Sequence, residues 1–305
     1  MSATAIALIL IAAVAHASWN LFGKQAATTG AAFFIWLVAA CASAIYSPVV
    51  ILTVLAGHPQ LTGLNWLFLA GTGVLQAAYF VFLQLGYRLG DLSVVYPIGR
   101  GTGALLAAVA GVVLLGERPS LVAIAGIAAI VIGVVVIGLP HAAAGADPVR
   151  PGPEQARPGP EQARMSARAS AFALLTGMFI ACYTIWDKYA VADLHTPPIL
   201  QGYASFPIMV AVFAPFVLRD RARLIGTWQR FRPQALGAGV LAPLAYILVL
   251  AALSFTAVSA VAPAREVSVL IGVLLGRRLL GEGGAGRRLA AATAIVAGIL
   301  AIAIG

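Results

Sequence analysis

The sequence predicts an all-α integral membrane protein with ten transmembrane helices, arranged as a five-plus-five inverted repeat. Three observations carry this prediction: an apolar composition, ten separate apolar runs, and a duplication whose halves each hold an odd number of runs. The 305 residues are 61% hydrophobic and only 10% charged, and the mean hydropathy is +0.98. Soluble domains are about 45–50% apolar and about 25% charged, so lipid is the expected solvent for most of this chain. The net charge of +9 does not indicate nucleic acid. The cations sit in short connections between apolar runs, not on one amphipathic face.

About 20 apolar residues cross roughly 30 Å of hydrocarbon. Segments meeting that need lie at about 3–23, 31–55, 64–87, 92–115, 119–139, 169–189, 197–218, 234–254, 257–280 and 287–305. The first stretch lacks a cationic leader and runs on to Phe22, so it reads as a retained span. Pro207, Pro215 and Pro243 interrupt the seventh and eighth runs and read as kinks. Cys41 and Cys182 fall inside apolar runs and predict packing thiols, with no disulfide.

Residues 141–168 form the one long polar connection. There Pro151-Gly152-Pro153-Glu154-Gln155-Ala156-Arg157 is repeated at once as residues 158–164. Such a stretch cannot bury apolar surface and reads as a flexible linker. It separates a first repeat, 1–140, from a second, 169–305. Ser93 and Pro97 align with Ser259 and Pro263, and Glu117 aligns with Glu282. Lys24 and Lys188 each follow an aromatic-polar patch, Trp19-Asn20-Leu21-Phe22 and Tyr183-Thr184-Ile185-Trp186-Asp187. With five spans per half, the second half enters the membrane from the opposite side, the symmetry that lets two halves rock around a shared site.

Gly116-Glu117-Arg118 after the fourth run and Gly281-Glu282 after the ninth, within this five-plus-five pattern, resemble the drug/metabolite transporter superfamily and, more narrowly, its EamA family. The resemblance covers nearly the whole chain except the linker. It implies a basket-like bundle around a central cavity and a bacterial inner-membrane protein that exports amino acids or other metabolites. Gly283 stands where an arginine often follows the glutamate, which weakens any role for that arginine.

Ionisable groups inside spans are costly, about 2.5–3.5 kcal/mol each on insertion scales, so they mark function or partners. Arg100, Arg265 and Glu266 occupy matching places just after Pro97 and Pro263. Neighbours in sequence do not face each other on a helix. We therefore expect Glu266 to reach Arg100 across the axis, leaving Arg265 to hold a substrate carboxylate or phosphate. The alternative is a buried network that only fixes helix register. Gly99-x-x-x-Gly103 and Gly272-x-x-x-Gly276 predict close helix packing. His16, Asn20 and Lys24 stack on one face beside Trp19. His16 reads as an interhelical donor or as the carrier of a coupling proton, and Lys24 as an interfacial anchor. Gln76 and Tyr79 share a face of the third run, and Tyr183 and Trp186 lie on the sixth. Aromatic groups with polar tips suit a small amphipathic solute; Trp66 and Tyr87 suit the interfacial belt.

No phosphate-binding loop, zinc-ligand spacing or nucleophile elbow occurs in the sequence. The expectation is a secondary transporter, a monomer with no cofactor and no catalytic residue, moving a small molecule through the bilayer by alternating access. A passive facilitator and a lipid-carrier flippase are the alternatives. Fifteen cations lie in connections after odd-numbered runs, against Arg118 and Lys188 after even-numbered ones. That bias puts the linker in the cytoplasm and both termini outside, whereas the family resemblance implies termini inside. Reporter fusions at the C-terminus and in the linker separate the two.

Overall fold

A computed structural model describes residues 1–26, 31–89, 92–138, 160–268, 270–271 and 285–304. Its elements are all helices: α1 Ala3–Ala26, α2 Ala31–Gly57, α3 Gly63–Leu89, α4 Leu92–Leu114, α5 Leu121–Gly138, α6 Pro160–Ala192, α7 Pro198–Val217, α8 Arg221–Leu253, α9 Val258–Ala264 and α10 Ala285–Ile304. Among the described residues, six helices are long and apolar enough to cross a membrane, and three shorter apolar helices accompany them. Their outer faces carry large apolar side chains in the open: Leu52 is 63% exposed, Val113 70% and Leu121 84%. Water would not tolerate so continuous an apolar surface.

Three elements depart from their predicted limits. The sixth helix begins at Pro160 rather than near 169, so the end of the second PGPEQAR copy is already helical. The eighth begins at Arg221 rather than near 234, where Asp220 accepts the Arg223 amide at 3.0 Å as an N-terminal cap. Loop arginines Arg221, Arg223 and Arg230 are therefore helical. This helix breaks at Phe231 (φ −125°, ψ 21°), just before Pro233, which has no amide to continue the ladder. The ninth helix is interrupted after seven residues, at Arg265 and Glu266, and is helical again at 267–268 and 270–271; the rest of the predicted run lies outside the described residues. Pro263 removes one donor, and Glu266 then bonds the Pro263 carbonyl at 2.9 Å and Ser268 the Arg265 carbonyl at 3.2 Å. These are tighter three-residue steps that interrupt regular α-helix. Cys41 is half-buried and Cys182 exposed, and both are free thiols; Cys182 thus faces outward rather than packing.

The Gly-Glu motif joins the halves. Gly116 takes a left-handed conformation (φ +67°), and the Glu117 amide bonds the Gly111 carbonyl at 3.1 Å, closing α4 in the manner that favours glycine. The turn aims Glu117 at α9, where its oxygens accept the amides of Val258 and Ser259 at 2.6 and 2.8 Å. The first residue of that cap, Ala257, has no side chain able to do so. Glu282, the sequence counterpart, lies outside the described residues. In turn, Lys188 donates to the carbonyls of Leu253 and Thr256 at 2.7 and 3.0 Å, placing a cation at the C-terminus of α8.

Several helix contacts occur in reciprocal sets. α1 lies on α8 as α6 lies on α3; α2 lies on α8 as α7 lies on α3. α2–α7, α4–α9 and α5–α10 pair across the halves with their own counterparts. The close contact of α4 with α6 has no such counterpart among the described residues. Gly99 and Gly103 form a close seat for α6: a Cβ on Gly103 would stand 2.8 Å from Ile180, and one on Gly177 3.0 Å from the Gly103 amide. The second glycine pair, Gly272 and Gly276, lies outside the described residues.

Candidate functional site

α4 of the first half meets the end of α9 of the second. Arg100 Nε donates to Glu266 Oε2 at 3.0 Å, and its Nη2 lies 2.8 Å from Oε1. The first is a hydrogen bond and the second a close ion contact, with Arg100 6% and Glu266 1% exposed. The two residues are 166 apart, the same offset that aligns Ser93 with Ser259 and Pro97 with Pro263. The bridge therefore joins equivalent positions that carry opposite charge in the two halves.

Arg265 is left over from this pairing. Its Nε stands 3.8 Å from Glu266 Oε1, too far for a hydrogen bond. Nε and Nη2 are buried with no hydrogen-bond partner among the described residues. Its guanidinium carbon lies 6.0 Å from the centre of the Tyr183 ring, within reach of the ring's negative face. A buried cation with one ring contact and one long ion contact, and two nitrogens without a hydrogen bond, is costly unless a further partner joins it. It opens on a cavity lined by Ile9, Ala13, His16, Arg100, Tyr183, Tyr246 and Arg265, with Ala12, Ala245 and Val249. The cavity is partly open and offers about 50 Å³, room for a few waters or a carboxylate head. A whole metabolite enters only if the helices part.

Of the residues singled out in the sequence, the cavity gathers His16, Arg100, Tyr183 and Arg265. The others serve these or lie apart. Trp19 Nε1 donates to His16 Nδ1 at 3.2 Å, and Asn20 turns back to the His16 carbonyl at 2.7 Å. The polar stripe of α1 is thus mostly bonded to itself; the Lys24 side chain lies outside the described ones. Tyr79 meets Tyr183 edge-on at 6.0 Å, behind the cavity wall. Gln76 donates to Thr72 at 3.3 Å. Trp186 stacks on Phe68 at 4.1 Å, donates to the Phe68 carbonyl at 2.9 Å, and lies over Gly71, so it packs α6 to α3 rather than lining the cavity.

Sequence reasoning missed two residues. Asp187, fully buried, accepts Gln201 Nε2 on Oδ1 at 2.7 Å and Thr72 Oγ1 on Oδ2 at 3.1 Å. The hydroxyl of Tyr246 also donates to Oδ2, while the same tyrosine lines the cavity. An acidic residue inside an apolar run was the available signal. A helix end placed near 189 set Asp187 close to the interface, whereas α6 continues to Ala192.

A family model described as the EamA-like transporter family matches residues 3–139 and 167–304. No curated protein matches the chain. Among solved structures, 24 chains match. One of them, described only as a crystal structure of a protein, is 16% identical over 98% of both chains with a TM-score of 0.69. This is a likeness of fold alone.

Proposed function

The chain belongs to the EamA-like transporter family, a family of membrane transporters, and we propose that it moves a small carboxylate- or phosphate-bearing metabolite, such as an amino acid, out across a bacterial inner membrane by alternating access. The observation that carries the substrate class is the orphaned guanidinium of Arg265, buried yet turned to the cavity. Arginine presents a planar fork that matches a carboxylate or phosphate in two hydrogen bonds. Tyr183 and Tyr246 supply flat walls, and Ile9, Ala12 and Val249 an apolar floor, a lining suited to a small amphipathic solute.

The mechanism follows from symmetry. On this reading ten helices form two repeats, 1–140 and 169–305, inverted about an axis through Arg100 and Glu266 and joined by the linker 141–168. Rocking about that axis would expose Arg265 to each face in turn.

A thermal-shift panel of amino acids, nucleosides and sugar phosphates on the purified protein identifies the ligand. Counterflow in proteoliposomes then tests the mechanism. An alternating-access carrier accelerates when unlabelled substrate waits on the far side. A rate indifferent to far-side substrate identifies a passive facilitator instead. Arg265→Ala should remove counterflow and Arg265→Lys retain a part of it; full activity in both removes the assigned role of Arg265.

A further inference from the structure

Among the described residues, the buried charges of the core balance only if Asp187 is counted. Arg100 and Glu266 cancel, leaving Arg265 positive and Asp187 negative on either side of the same pair of tyrosines. Tyr183 lies under the Arg265 guanidinium and meets Tyr246 edge-on at 6.0 Å, and Tyr246 holds Asp187. Arg265 is also the cation whose field reaches Asp187. No cation touches the carboxylate among the described residues; its donors, Gln201, Thr72 and Tyr246, are all neutral. An anion bound to Arg265 would leave the core with one unbalanced negative charge in a medium that tolerates none.

We propose that Asp187 is the proton site of this carrier: ionised while Arg265 is empty, and protonated when an anionic substrate occupies Arg265, so that each substrate charge crosses with one proton. The proposal rests on the reading of Arg265 as the substrate's anchor. The path is short. A proton arriving in the cavity is taken up by the Tyr246 hydroxyl oxygen as that hydroxyl passes its own proton to Asp187 Oδ2. The tyrosine ends unchanged and the carboxylate becomes a carboxylic acid.

Gln201 fits both states. Its Nε2 now donates to Asp187 Oδ1 and to the Phe68 carbonyl at 3.1 Å, while its buried Oε1 has no partner. With the proton on Oδ2, Gln201 Nε2 still donates to Oδ1, and the new O–H donates back to the Tyr246 hydroxyl oxygen. The one other titratable base on the cavity among the described residues is His16 of α1, whose Nδ1 accepts Trp19 and which makes no hydrogen bond or ion pair with Asp187, so the loss of a carboxylic acid band in Asp187→Asn separates the two. α3 offers Thr72 and Gln76, with Tyr79 two turns along; α7 offers Gln201; α8 offers Tyr246. α4 offers Arg100, already paired with Glu266 from the segment after α9. On α6 itself Tyr183 faces the cavity and Lys188 is turned to the end of α8.

Infrared difference spectra of the full chain in liposomes test this without knowledge of the substrate. At neutral pH, Arg265→Gln should show a protonated carboxylic acid band that is absent from the wild type, absent from Arg265→Lys, and lost again in Arg265→Gln with Asp187→Asn. Arg265→Met, of similar length and without charge, replaces the glutamine variant if that one does not fold. A neutral Arg265 variant that lacks the band overturns the proposal, as does a band that survives Asp187→Asn. The two readings fail separately. A missing band beside lost counterflow in Arg265→Ala leaves the substrate anchor standing and the proton site overturned. A band beside normal counterflow leaves Asp187 electrostatically tied to Arg265 but overturns both the anchor and the coupling.

Discussion

The two halves share their packing but not their chemistry. α4 is one continuous helix whose single buried cation, Arg100, pairs with Glu266. Its counterpart α9 is interrupted after seven residues and offers a second arginine and an acid side by side at the break. Lys24 and Lys188 correspond, so the place of Asp187 on α6 is held by Gly23 on α1. Reciprocal helix contacts and the inter-half cap by Glu117 serve a fold that treats its halves alike. Arg265 and Asp187 exist once, and both sit in the second half. Duplication thus supplies the frame, and its departures supply the groups that can bind and exchange charge.

The axial ion pair tests this comparison most severely. Glu266→Gln leaves Arg100 buried without its paired counter-charge, and we expect a loss of about 3–5 kcal/mol in unfolding free energy, read by denaturation in detergent. Because the partners are equivalent positions, the exchange Arg100→Glu with Glu266→Arg should recover most of that loss. No recovery would mean that the surroundings distinguish the halves even at the axis.

Next comes the seat of α6 on α4. Gly177→Ala puts a methyl against the Thr102 side chain and the Gly103 amide, and overpacking of this kind costs about 1–3 kcal/mol; thermal unfolding reads it. Smaller again is the cap. Glu117→Ala should cost about 1 kcal/mol. If the halves are alike, Glu282→Ala should cost the same, by freeing the N-terminus of α4. Unequal costs would confine the Gly-Glu cap to one half. Smallest is Asn20→Ala, which removes a bond from Asn20 to a carbonyl of its own helix. It should change stability by no more than about 0.5 kcal/mol and leave counterflow near the wild-type rate.

Hydropathy made most helices legible because each must satisfy its backbone within itself and show lipid an apolar surface. The duplicated Ser-Pro and Gly-Glu positions made the halves legible, and the ban on neighbours facing each other on a helix placed Glu266 on Arg100. The break at Pro263 was not legible. Pro207 and Pro243 sit inside helices that continue, so a proline alone does not say whether the chain kinks or stops. Trp186 read as a site aromatic because its polar tip and its position matched one. Only three-dimensional contact shows that the indole is held by Phe68 and Gly71. Asp187 escaped because its neutral partners, Thr72, Gln201 and Tyr246, come from three other helices, a convergence that no local pattern records.

The central claim is that Arg265 is the buried cation awaiting an anion. Equilibrium binding of the acid selected by the thermal-shift panel, compared between wild type, Arg265→Lys and Arg265→Ala, tests it most directly. The account predicts a loss of about thirtyfold or more in Arg265→Ala, as for other buried charge partners, with Arg265→Lys between the two. Equal dissociation constants in all three proteins would contradict it.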